Sequence, residues 1–114
     1  MPYLKIQTNQ ALDDVAQQRL MAEASATVAE QLGKPERYVM VAIDAARPML
    51  FAGNSDAVAY LELKSIGLPD DATAGLSERL CELMATHLNI APDRVYIEFA
   101  NAQRHMWGWN GGTF

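Results

Sequence analysis

A proline stands directly after the initiator methionine, as Met1-Pro2. Removal of that methionine turns the Pro2 ring nitrogen into a free secondary amine. An ordinary α-amino group titrates near 8, so only about a tenth of it is unprotonated at pH 7. Burial in an apolar pocket disfavours the charged form, and a fall of about two pH units leaves such an amine mostly neutral and able to act as a general base. With Met1 retained, the same nitrogen is an amide and has no basic chemistry. Proline is also a small, tolerated second residue, so the dipeptide alone does not assign the role.

The other reactive side chains point elsewhere. Cys81 is the only cysteine and lies in the apolar run 80–84, so an intramolecular disulfide, a CxxC redox pair and a cysteine-rich zinc site are excluded. It reads as a buried small hydrophobe. His87 and His105 have no carboxylate or cysteine partner at ligand spacing, and no metal is expected. His87 falls on an apolar stripe and reads as a satisfied, partly buried residue.

A chain of 114 residues that is 50% hydrophobic is sufficient for one domain, residues 1–114, with its own core. Its net charge of −5 and pI near 4.8 argue against nucleic acid or an anionic membrane as partner, both of which call for clustered Lys and Arg. The nine basic residues are scattered. The opening MPYLKIQTNQ has no apolar signal-peptide core, and no apolar run nears the roughly 20 residues needed to span a bilayer. A cytoplasmic location is the expectation.

The elements that must position these residues form a repeat. Lys34-Pro35-Glu36-Arg37-Tyr38-Val39-Met40-Val41 matches Ala91-Pro92-Asp93-Arg94-Val95-Tyr96-Ile97-Glu98 at an offset of half the chain. Each copy follows an amphipathic stretch and opens a strand-like run, so a βαβ unit is used twice. In the first half, residues 3–8 alternate as a strand with Leu4, Ile6 and Thr8 on one face. A helix follows, with Leu12, Ala16, Leu20, Ala24, Val28 and Leu32 every four residues, Val15 beside them, and Asp13 and Asp14 at its positive end. Gly33-Lys34-Pro35 ends it, and residues 38–43 are the next strand. The second half gives a strand at 57–66, a turn and cap at 67–71, a helix carrying Leu76, Leu80, Leu83, Met84, His87 and Leu88, and a strand at 95–99. Asn110-Gly111-Gly112 marks a turn within the tail 106–114, with a short extra strand or hairpin around it. The expected fold is α+β: a duplicated βαβ with two helices packed on a four-stranded mixed sheet. Val39, Met40, Val41, Ala42 and Ile43 are apolar on both faces of their strand, which calls for a cover on the second face. An oligomer is the simplest one.

Read together, Met1-Pro2, Gly33-Lys34-Pro35, Ser65-Ile66-Gly67, Pro92-Asp93-Arg94-Val95-Tyr96-Ile97, Gly108-Trp109-Asn110 and Thr113-Phe114 resemble the macrophage migration inhibitory factor family of the tautomerase superfamily over essentially the whole chain. The resemblance implies a homotrimer with the sheets inside, the helices outside and an active site at each subunit interface. It implies a cofactor-independent keto–enol tautomerase, of the phenylpyruvate tautomerase kind, acting on arylpyruvate-type α-keto acids. Pro2 matches the base and Lys34 the lysine on the substrate's carbonyl or carboxylate oxygens. Ile66 matches the residue whose backbone N–H gives a second hydrogen bond, and Tyr96 the tyrosine reaching in from a neighbouring subunit. Tyr38, Trp109 and Phe114 match the aromatic rim. The chemistry suits these types: proton abstraction α to a carbonyl puts negative charge on oxygen, which a cation and an N–H donor stabilise. The positive charge of Lys34 also disfavours protonation of the proline amine, and aromatic rings exclude water.

Four positions depart from the family pattern. Glu98 stands where vertebrate members typically carry an asparagine lining the far end of the pocket, and a carboxylate there should repel anionic distal groups. Val58 and Leu61 occupy the CxxC positions of some members, so thiol oxidoreductase activity is not expected. Trp107 replaces a smaller apolar residue at the rim. The alternative reading is a cytokine-like binding or signalling protein whose partner is a cell-surface receptor, since members of this family also act outside cells through leaderless secretion.

Overall fold

In a computed structural model describing residues 1–114, the first strand, β1 (Tyr3–Thr8), alternates as its sequence dictates, with Leu4, Ile6 and Thr8 fully buried. The Thr8 hydroxyl is satisfied by donating to the Val58 carbonyl at 2.8 Å. Helix α1 (Asp14–Leu32) is started by Asp13, whose carboxylate accepts from the Ala16 N–H at 2.8 Å. Asp13→Ala should therefore cost about 1 kcal/mol, seen as a lower urea midpoint with unchanged slope. An unshifted midpoint would mean that the cap contributes nothing. Leu20, Ala24, Thr27 and Val28 face the core, but Val15 is 62% exposed. It lies five residues before Leu20, hence about 140° around the helix from it at ~100° per residue. The stripe at four-residue spacing leaves it on the outer side.

α1 ends in a Schellman motif. Gly33 takes the left-handed region at φ 61°, its N–H donates to the Glu30 carbonyl, and the Lys34 N–H donates to the Ala29 carbonyl. That pair of bonds fixes the backbone of Lys34 directly at the helix exit. Pro35 then starts a single 3₁₀ turn, Glu36–Tyr38, so β2 (Met40–Asp44) begins two residues later than its pattern predicts. The matching Pro92–Arg94 also forms a 3₁₀ turn, so the repeated Pro-acid-Arg segment is a turn in both halves.

β3 (Ala59–Ile66) starts two residues later than expected because Val58 gives its N–H to the Asn9 side chain and its carbonyl to Thr8. α2 (Thr73–Leu88) buries Leu76, Leu80, Leu83, Met84 and Leu88. Asn89, at φ 54°, closes it. β4 (Val95–Ala102) runs three residues past its apolar alternation, because Lys64, Ser65 and Ile66 go on pairing with Ala100, Asn101 and Ala102. Ladder pairing extends the strand where side-chain preference does not.

The sheet order is β2-β1-β3-β4, with β1 parallel to β2, β3 parallel to β4, and β1 antiparallel to β3. The fold is α+β, two helices on a four-stranded mixed sheet, and its two βαβ halves run in opposite directions. Val41 and Ile43 pack with Leu4, Ile6, Leu61 and Leu63 against the helices. The uncovered face carries Tyr3, Lys5 and Gln7, then Tyr60, Glu62 and Lys64, then Tyr96 and Glu98. Its apolar part lies on the two edge strands, with Ala42 beside a 65%-exposed Met40 on β2 and Ala100 and Ala102 on β4. The apolar second side of residues 39–43 is therefore at the sheet edge, beside a largely polar centre on β1 and β3. No helix is long and apolar enough to cross a membrane.

Candidate active site

Pro2 is fully buried, and its carbonyl accepts from the Met40 N–H at 2.9 Å. Antiparallel pairing of Tyr3 with Lys64 sets Pro2 beside the end of β3, where Ile66 lies. The Lys34 ammonium reaches across from the α1 exit and donates to the Ile66 carbonyl, which also accepts from the Ser65 hydroxyl at 3.2 Å. Pro2, Lys34 and Ile66 therefore meet at one end of the sheet. An ammonium has three donors, so the bond to Ile66 orients Lys34 and leaves others for a ligand.

The electrostatics of this corner favour a neutral amine. The terminal amine, here on Met1, is held below the ordinary α-amino range, first by burial and then by the positive charge of Lys34. Lys34 is itself lowered, first by burial and then by Arg104. Arg104 escapes a reading of sequence alone. It sits in a 3₁₀ turn (Arg104–Met106) two residues beyond Ala102, the partner of Ile66, and nothing in its neighbours along the chain marks it.

The tail folds as the Asn-Gly-Gly signal requires. β5 (Gly108–Trp109) pairs with β6 (Gly112–Thr113) through Asn110 and Gly111 at φ 54° and 78°, a type I′ geometry. The Phe114 N–H donates to the Trp107 carbonyl at 3.1 Å, bringing Phe114 back to Trp109. These two rings stack at 5.3 Å, and Tyr38 meets both edge-on at 6.0 and 6.1 Å. The Arg37 guanidinium lies 4.7 Å over the Tyr38 ring. Tyr38, Trp109 and Phe114 thus form one cluster, while Trp109 stays half exposed.

Tyr96 and Glu98 are not brought to Pro2 within one chain. Tyr96 pairs with Tyr60, and Tyr60 with Gln7, five residues along β1 from Pro2 and so about 16 Å away at ~3.3 Å per residue. Glu98 accepts from the Tyr60 hydroxyl at 3.2 Å on the uncovered face. Burial and this carboxylate raise the Tyr60 phenol above its usual range.

Two further expectations bear on chemistry. His87 is held by Glu23 of α1 at 2.6 Å, which satisfies it as a helix–helix contact. The sequence gives no sign of this partner, 64 positions away. Cys81 is half-buried rather than buried. It lines a shallow depression with Ser77, Glu78, Glu82, Ala85 and Pro92, and burial pushes its thiol up, away from a reactive thiolate. None of those lining residues belongs to the Pro2 corner.

The family model for macrophage migration inhibitory factor matches residues 1–114. A macrophage migration inhibitory factor homolog of Brugia malayi is 36% identical over 115 residues, covering 100% of this chain and 99% of that protein. The macrophage migration inhibitory factor of Rattus norvegicus is also 36% identical, with the same coverage. Among solved structures, the homologue from Prochlorococcus marinus superposes with a TM-score of 0.93 at 41% identity, covering 98% of both chains. The Toxoplasma gondii protein does so at 0.93 and 30% identity, covering 98% of this chain and 99% of its own.

Proposed function

This chain belongs to the macrophage migration inhibitory factor family, and from that premise we propose that it is a cofactor-independent keto–enol tautomerase of arylpyruvate-type α-keto acids, assembled as a homotrimer. The observation that carries the reading is the corner where a buried Pro2 meets Lys34 and Ile66. Once Met1 is removed, the amine moves onto Pro2, whose ring is already fully buried, and the same two causes act to lower its pKa.

The neutral Pro2 nitrogen takes the proton from the carbon α to the substrate carbonyl. The C–H electron pair becomes the enolate C=C bond, and the carbonyl π pair moves onto oxygen. Lys34 Nζ and the Ile66 N–H stabilise that oxygen as charge develops, and the protonated amine then returns its proton to oxygen, giving the enol. Atoms and charge balance without a further reactant. Tyr38, Trp109 and Phe114 hold the aryl group and exclude water.

Tyr96 and Glu98 enter this scheme only from a neighbouring subunit, because their own chain carries Tyr96 toward the opposite end of the sheet and Glu98 at the middle of the far edge strand. Two exposed edges, Met40 on β2 and Tyr96 on β4, favour such contacts. Light scattering at micromolar concentration should give three times the 12.6 kDa of one chain. A stable monomer would remove Tyr96 and Glu98 from the site. Phenylpyruvate turnover is the direct test of the activity. A correctly processed protein, with Met1 loss verified by intact mass, that turns over no substrate would leave the family's receptor-binding role as the reading.

A further inference from the structure

Tyr96 is 63% exposed on the edge strand β4, and one aromatic contact holds its ring: Phe51, edge-on at 4.8 Å and 80°. Phe51 lies in the segment joining β2 to β3, which has no strand of its own. It forms only an isolated bridge with Asn54, through a pair of backbone bonds at 2.9 and 3.1 Å. The two residues between them, Ala52 and Gly53, take φ 53° and 78°. Alanine is disfavoured in the left-handed region by its Cβ, so this tight turn persists because something else holds it.

Arg94 is what holds it. Its Nε donates to the Ala57 carbonyl at 3.0 Å and its Nη1 to the Phe51 carbonyl at 3.2 Å. Its Nη2 donates to Asn54 and Asp56 carbonyls at 3.4 and 3.1 Å. The guanidinium also lies 5.1 Å from the Phe51 ring centroid. One side chain therefore gathers four carbonyls of the segment and grips Phe51 by both backbone and ring. Lysine cannot do this, having no planar fork. Arg94 ends the 3₁₀ turn that leads into β4, two residues before Tyr96, so the chain Arg94 to Phe51 to Tyr96 closes on itself. At the matching place in the first half, Arg37 covers the Tyr38 ring and donates to its hydroxyl at 3.5 Å.

We propose that Arg94 and Phe51 are positioning residues that hold the Tyr96 ring in the orientation it presents to the substrate pocket of the neighbouring subunit. This rests on the reading of Tyr96 given under the proposed function. Without Phe51, an exposed tyrosine on an edge strand samples several rotamers, and ordering it on substrate binding lowers affinity. The step affected is binding rather than proton transfer, so KM moves and kcat does not.

Phe51→Leu keeps the backbone acceptors of Arg94 and deletes the ring contact. It should raise KM for phenylpyruvate about two- to tenfold, the range of an edge-to-face aromatic pair, with kcat and Tm close to wild type. Arg94→Lys should raise KM in the same direction and also lower Tm, because four carbonyls lose their donor. In a Tyr96→Ala background, Phe51→Leu should add nothing. If Tyr96→Ala raises KM but Phe51→Leu does not, the positioning role is overturned while the interface reading of Tyr96 stands. If Tyr96→Ala leaves KM unchanged, both fall. If Phe51→Leu raises KM equally in the Tyr96→Ala background, Phe51 acts by another route and the proposal is overturned.

Discussion

Replacing Pro2 by glycine, with Met1 still removed, is expected to lower kcat/KM for phenylpyruvate by at least about a hundredfold, the lower end of a general-base contribution. Glycine leaves an amine at the same chain position, so the loss does not come from deleting the base outright. It comes from exchanging a rigid secondary amine in a fully buried ring for a primary amine on a freely rotating residue. Stopped-flow or steady-state ketonisation of phenylpyruvate measures it, with intact mass establishing processing in both proteins. Near wild-type turnover in the glycine variant would eliminate the proline as the group that moves the proton.

Lys34→Gln should cost about a hundredfold in kcat, the scale for removing one donor to a developing oxyanion. Glutamine can still give an N–H to the Ile66 carbonyl, so the substitution removes charge while keeping a local bond. A second effect follows from the electrostatics. The positive charge of Lys34 is one of the two causes that hold the N-terminal amine below its ordinary range. Without it, the amine pKa rises. The base works only when unprotonated, so activity climbs with pH through that pKa, and the ascending limb of kcat/KM should move to higher pH in the variant. A limb that stays in place, even with kcat reduced, would mean that the titrating group is not the amine beside Lys34.

Periodic burial was legible in the sequence, and so was local turn chemistry. β1 alternates over the residues its pattern marks, the Gly33 stop is realised as a Schellman motif, and Asn110-Gly111 makes the hairpin that returns Phe114 to Trp109. What escaped reading depends on partners distant in the chain. Val58 looks like a strand residue until Asn9 and Thr8 capture its backbone. Ala100 and Ala102 look like a loop until β3 pairs with them. The site behaves likewise. Lys34 and Ile66 came from a family pattern and lie in contact, whereas Arg104 and Phe51 carry no motif and matter only through what the fold sets beside them. Met40 and Ala42 are apolar on the second side of their strand, and only the register discloses that Lys5, Glu62 and Lys64 lie next to them on that face.

The opposed directions of the two βαβ halves have a kinetic consequence. One chain carries the amine and cation at one end of its sheet and Tyr96 toward the other, so in the proposed trimer a chain lends its own Tyr96 and receives a neighbour's. Specific activity per chain should then depend on protein concentration, falling steeply once dilution passes the dissociation constant of the assembly. Secretion into a large volume, or synthesis at low copy number, would then silence the proposed chemistry by mass action alone.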